Sequence, residues 1–259
     1  MDDAQPMLDS LLKTLVSNVG AILGDDLLAI YLYGSYVSGG FDPGVSDLDL
    51  VAVTGPDVEA IDLVGLERMH RDFVIDKPEW SDRIEIVYVG RTALWSLRTH
   101  PGPLAVISPG EPFHLRSERV VEWLQNWYLV REAGVTLHGP IPAAVVPPIT
   151  WAEFVAATLH YAEEVSNRSF DEATPSSLAY AVLTMCRALR TVRTQTHGSK
   201  QEAAAWVSER MPEWAALIDS ALRCRLTRGT SGFDDGGTRA AAERFIRLVG
   251  DEIKRSVSA

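Results

Sequence analysis

The segment Ser46-Asp47-Leu48-Asp49-Leu50, with Ser46 eleven residues beyond Ser35 of Tyr33-Gly34-Ser35, limits the possible folds of this chain more than any other. Side chains of an extended strand alternate between faces, so Leu48 and Leu50 turn into a core while Asp47 and Asp49 share the opposite face. Two carboxylates on one face repel each other unless a cation lies between them. Hard oxygen donors of this kind suit magnesium, which commonly also binds substrate phosphates. The competing reading is a solvated acidic pair on a surface strand. The Gly-Ser turn and a third carboxylate weigh against it.

That third carboxylate is Glu85, in Arg83-Ile84-Glu85-Ile86-Val87-Tyr88-Val89. Ile84, Ile86 and Tyr88 fall on one face, Arg83 and Glu85 on the other. An ionisable group inside a β-branched strand is costly unless it faces water or a cation. If this strand lies beside the Asp47–Asp49 strand, three carboxylates converge on one cleft. Such a site can hold magnesium against a triphosphate and leave an oxygen free to take a proton from an attacking hydroxyl.

The pattern of elements divides near residue 148. Before it, strand and helix signals alternate. An apolar helical stripe runs through Met7, Leu8, Leu11, Leu12, Leu15 and Val19, and strands are predicted at 27–33, 46–54 and 83–89. Helices are predicted at 57–73 and 117–132. The proline-rich segment 139–148 continues neither a helix nor a central strand and reads as a linker. After it every signal is helical: Thr150-Trp151-Ala152-Glu153 and Ser199-Lys200-Gln201-Glu202 are capping boxes, and further helices are predicted at 175–196, 212–226 and 238–257. The expected fold is α+β, a mixed sheet with flanking helices over 1–148 followed by a five-helix bundle over 149–259, with the active site between them.

Net charge narrows the partners. The formal charge is −11, whereas a protein that clamps nucleic acid needs a basic footprint, so no nucleic-acid partner is expected. An acidic cleft draws in small cations instead. No apolar run approaching the ~20 residues of a membrane span is evident, and the acidic start Met1-Asp2-Asp3 lacks the features of a secretory signal. A cytoplasmic monomer is the expectation. Cys186 and Cys224 have no paired spacing and read as buried thiols.

Gly34-Ser35 with Ser46-Asp47-Leu48-Asp49 resembles the signature of the DNA polymerase β-like nucleotidyltransferase superfamily. Leu32-Tyr33-Gly34-Ser35, Gly39-Gly40, Glu85, Leu183-Thr184-Met185-Cys186-Arg187 and the stretch from Ser199 to Trp206 narrow the resemblance to the streptomycin/spectinomycin adenylyltransferases. The resemblance implies transfer of AMP from ATP to an antibiotic hydroxyl. Magnesium would be held by Asp47, Asp49 and Glu85, with Glu85 as catalytic base. Gly34, Ser35 and Ser46 would bind the nucleotide, and Arg187 and Lys200 would reach its phosphates. Lys200 stands in the first turn of its helix, where the amino terminus already favours anions.

The acceptor would be a cationic aminoglycoside or aminocyclitol. Relatives that take streptomycin place an acidic residue where this chain has Ser177, and a tryptophan in the loop that here reads Ala105-Val106-Ile107-Ser108-Pro109-Gly110-Glu111-Pro112. A neutral hydroxyl does not replace a charge partner for a guanidinium, so spectinomycin is expected over streptomycin. Glu122, Asp171 and Glu172 are possible sources of replacement negative charge. A second reading, a toxin–antitoxin-like nucleotidyltransferase acting on protein or RNA, rests on the loosely spaced Arg190 and His197.

Overall fold

Runs of β-branched and aromatic residues carry the first half of the chain into a six-stranded sheet, and apolar stripes at helical spacing pack against it. The computed structural model describes residues 4–99, 102–116, 120–227, 233 and 236–258. The chain forms two compact units, Met1–Thr150 and Trp151–Ala259.

In the first unit, helix α1 (Ala4–Leu23) leads into strands β1 (Leu27–Tyr33) and β2 (Leu48–Thr54). Helix α2 (Leu63–Asp76) then crosses to β3 (Ile84–Gly90). The short helix α3 (Arg91–Trp95), strands β4 (Leu104–Ser108) and β5 (Glu111–Arg116), helix α4 (Val120–Ala133), strand β6 (Val135–His138) and the single turn α5 (Pro142–Val145) complete it. Strand order is β5-β4-β3-β2-β1-β6. Only β2 and β3 pair in parallel, so the sheet is mixed as expected. One sheet face, through Ile30, Leu32, Leu48, Leu50, Ala52, Ile84, Ile86 and Tyr88, packs on Leu8, Leu11, Leu12, Leu15 and Val19 of α1 and on Leu66, Met69 and Phe73 of α2. Alternation then leaves Asp49 and Glu85 on the other face.

Four expectations need correcting. Residues 6–26 are long and apolar enough to cross a membrane by length and composition, with a mean hydropathy of 1.2. Their apolar stripe is nevertheless spent on the sheet, which is what a core helix does. The helix predicted from 57 starts at Leu63, because the Asp62 carboxylate accepts from the Gly65 N–H at 2.8 Å and caps it there. The segment 105–112, read as a loop, is a β4–β5 hairpin, turning at Pro109-Gly110 with Gly110 at φ +76°.

The fourth correction concerns the proline-rich segment, which is fastened to the first unit. The Tyr31 hydroxyl donates to the Pro140 carbonyl (2.9 Å), Trp95 Nε1 to Val145 (2.8 Å), Arg98 to Pro148 (2.7 Å) and Arg131 to Ala143 (2.9 Å) and Val146. Pro142 opens α5, the helical position where a missing N–H costs nothing.

The described elements of the second unit are all helices, chiefly α6 (Trp151–Asn167), α7 (Pro175–Thr194), α8 (Lys200–Arg210), α9 (Ala215–Leu226) and α10 (Gly236–Ser258). Helix α7 is its centre and packs on the other four, burying Leu178, Val182, Leu183, Met185, Cys186 and Leu189. Cys186 and Cys224 are both buried, and neither is in a disulfide. Both bonds of the Ser199 capping box form, Glu202 N to Ser199 Oγ at 3.1 Å and Ser199 N to Glu202 Oε2 at 2.9 Å.

Candidate active site

Parallel pairing of β2 and β3 sets the register Asp49↔Glu85, and antiparallel pairing of β1 and β2 sets Tyr33↔Asp49. The end of β1, where Gly34-Ser35 begins, therefore lies in one row with two of the three carboxylates. Asp47 immediately precedes β2, after the turn at 43–45. All three carboxylates are half-buried between buried neighbours, which are apolar except for Ser46 before Asp47.

Their mutual field shows in Glu85. Its carboxyl is raised from an ordinary value of 4.5 to about 7, first by burial, then by the negative charges of Asp49 and Asp47. Glu111 of β5 pushes in the same direction and Arg116 of β5 in the opposite one. Among the described residues, no three His, Cys, Asp or Glu side chains are gathered closely enough to hold a metal ion. The donor chemistry nonetheless fits a divalent cation: Asp47, Asp49 and Glu85 are hard oxygen groups, and the negative charges of Asp49 and Asp47 act on Glu85, the condition a cation relieves.

The Gly-Ser turn is built against this row. Gly34 has φ +69°, a left-handed conformation that glycine adopts without a steric penalty. A Cβ on Gly34 would come 1.9 Å from Asp49 Oδ2, so the backbone and the carboxylate touch directly. Ser35 N donates to Asp49 Oδ2 at 3.4 Å. Ser46 is buried, and its Oγ accepts from Asp42 N at 2.9 Å, which spends part of the hydroxyl's capacity on the turn.

The sequence reading missed two arginines. Arg83, assigned to the exposed face of β3, is 6% exposed and buries its guanidinium among backbone carbonyls before that strand begins. Arg116 enters the field of Glu85 only because β4 and β5 fold back beside β3. Neither could be found by strand alternation, since both depend on turns that bring distant segments together.

In the second unit, the residues assigned to phosphate binding each lie near one member of a tyrosine pair. Lys200 Nζ lies 4.0 Å over the Tyr180 ring. Tyr180 hydrogen-bonds Tyr161, whose hydroxyl is raised first by burial and then by Tyr180, with Arg187 acting in the opposite sense. Arg187 and Arg190 also act on His197, although burial is the larger cause that holds its imidazole down at about 3. His197 is half-buried and packs edge-on against Phe154.

Ser177 is exposed at the start of α7, where its hydroxyl donates to the Thr174 carbonyl at 2.9 Å. Glu122 falls on α4, and its side chain lies outside the described residues. Ser199→Ala is expected to destabilise the protein by about 1 kcal/mol by removing the α8 cap. Urea unfolding measures the loss.

Both halves of the chain match known protein families. Residues 144–250 match the family model described as aminoglycoside adenylyltransferase, C-terminal domain, and residues 10–99 match the nucleotidyltransferase domain. Among solved structures, the chain is similar to spectinomycin adenyltransferase AAD(9) from Enterococcus faecialis, solved with ATP and spectinomycin. The TM-score is 0.72 at 16% identity, covering 95% of this chain and 98% of that one. Among curated proteins there is no match.

Proposed function

Since the chain belongs to the aminoglycoside adenylyltransferases of the polymerase β-like nucleotidyltransferase superfamily, we propose that it transfers AMP from ATP to a hydroxyl of a cationic antibiotic, with spectinomycin favoured over streptomycin. The observation that carries this reading is the facing pair Asp49 and Glu85, with Asp47 in the same field.

Asp47, Asp49 and Glu85 are the residues that would hold magnesium, which when bound supplies positive charge against the phosphates. The backbone at Gly34-Ser35 and the Ser46 turn receive the nucleotide, and Arg187 and Lys200 supply cationic partners for its phosphates. Glu85 takes the proton of the antibiotic hydroxyl. The hydroxyl oxygen forms a bond to the α-phosphorus, and the bond from that phosphorus to the pyrophosphate oxygen breaks. Without metal the Glu85 carboxyl is raised to about 7, first by burial and then by Asp49 and Asp47, and a bound cation would favour its ionised, proton-accepting form.

Acceptor preference follows from charge at one position. Ser177 is neutral and already bonded to Thr174, so it offers no counter-charge to the guanidinium groups of streptomycin. Spectinomycin has no guanidinium to satisfy. Pyrophosphate release is expected to be at least about 10-fold more efficient (kcat/KM) with spectinomycin, the order of one lost charge-assisted contact. Equal or better turnover of streptomycin would overturn the preference. No pyrophosphate release with either drug would overturn the substrate class.

A further inference from the structure

Arg83 is a buried cation that the reaction scheme does not use, and its contacts surround a single residue of the site. Its Nε and Nη2 both donate to the Ser46 carbonyl, at 3.2 and 2.6 Å, and Nη2 also donates to the Pro43 carbonyl at 2.7 Å. Nη1 reaches the Glu79 carbonyl at 3.4 Å, and the guanidinium lies 4.3 Å over the Trp80 ring. Its own backbone carbonyl accepts from Leu48 N at 2.8 Å. Asp47 is thereby bracketed by one arginine, whose side chain holds the carbonyl before it and whose main chain holds the amide after it.

From this we infer that Arg83 is a positioning residue, fixing where Asp47 stands relative to Asp49 and Glu85 by clamping the turn that precedes β2. The inference rests on the proposed transfer reaction for its kinetic consequence but not for its structural one. Asp47 lies outside the strand ladder, so β2–β3 pairing alone does not fix its approach to Glu85. Within the turn, Val45 N and Ser46 N both donate to the Asp42 carbonyl, at 3.0 and 2.7 Å. The fork of Arg83 closes the same turn from outside. A planar guanidinium can serve the carbonyls of Ser46, Pro43 and Glu79 together while stacking on Trp80, and a lysine ammonium cannot reproduce that fork.

The test compares Arg83→Lys and Arg83→Met with the wild type by amide hydrogen exchange and by steady-state kinetics. In both variants, exchange at Val45 and Ser46 is expected to quicken by about 10-fold or more, while amides inside β1, such as Leu32, keep wild-type protection. With spectinomycin and ATP, kcat is expected to fall by about 100-fold in both variants, and KM for ATP to rise as well, since the clamped turn also receives the nucleotide. Wild-type kcat in Arg83→Lys would overturn the proposal, because charge alone would then suffice. Exchange quickened equally across β1, β2 and β3 would also overturn it, by assigning Arg83 a merely structural role. If the wild type transfers no AMP at all, the functional reading fails, and the local exchange pattern still decides the role of Arg83.

Discussion

Glu85→Gln is expected to abolish AMP transfer and, in metal-free buffer at neutral pH, to make the protein more stable. Loss of a general base costs about 10²- to 10⁴-fold in rate, and loss of a metal-ligand oxygen adds to it. ATP binding through the Gly34-Ser35 turn should survive. The gain in stability follows from proton linkage. Burial, then Asp49, then Asp47 raise Glu85 from 4.5 to about 7 in the folded protein. Between those two values the folded state binds more protons than the unfolded chain, so stability falls as pH rises through that window. Above it the wild type carries the whole penalty, on the order of 3 kcal/mol. A glutamine carries none. The stability gap between variant and wild type should open from nearly nothing at about pH 4.5 to its full size by about pH 8. Urea unfolding across pH measures it. A variant less stable than wild type at pH 8 would show that Glu85 is not the strained member of the group.

Gly34→Ala should be nearly as damaging, for a steric reason. At φ +69° an alanine pays about 1–2 kcal/mol of backbone strain. Its methyl group would also fall 1.9 Å from Asp49 Oδ2 and 2.6 Å from Asp49 Cγ, so the carboxylate must leave its place beside Ser35 N. A displacement of that size in a reacting group costs about 100-fold in kcat. Gly39→Ala separates the two effects. Gly39 also has a positive φ, +73°, but a Cβ there meets nothing within 4 Å. It should lose stability by a similar strain and keep its turnover. Equal kcat losses in the two variants would show that backbone strain, and not the clash with Asp49, controls activity.

The parts of the site legible in the sequence are those governed by local periodicity. Asp47, Asp49 and Glu85 could be placed on one face because strand side chains alternate, and the Asp49↔Glu85 register realises that placement. The Ser199 cap was equally legible, since both of its hydrogen bonds span only three residues. Tertiary arrangements were not. Arg83 reads as a strand residue whose side chain faces out with Glu85, yet its partners at Pro43 and Ser46 are about forty residues away. Strand β5 carries Pro112 and exposed polar residues, which disguise it as a loop; as an edge strand it tolerates the proline.

The most direct test follows the phosphorus. Wild-type protein is incubated with spectinomycin, magnesium and ATP labelled at either the α- or the γ-phosphorus, alongside Glu85→Gln. The account predicts that the α-label becomes covalently attached to spectinomycin, that the γ-label leaves as pyrophosphate, and that the variant attaches neither. A γ-label on the drug, an α-label that never leaves the nucleotide, or undiminished transfer by Glu85→Gln would contradict it.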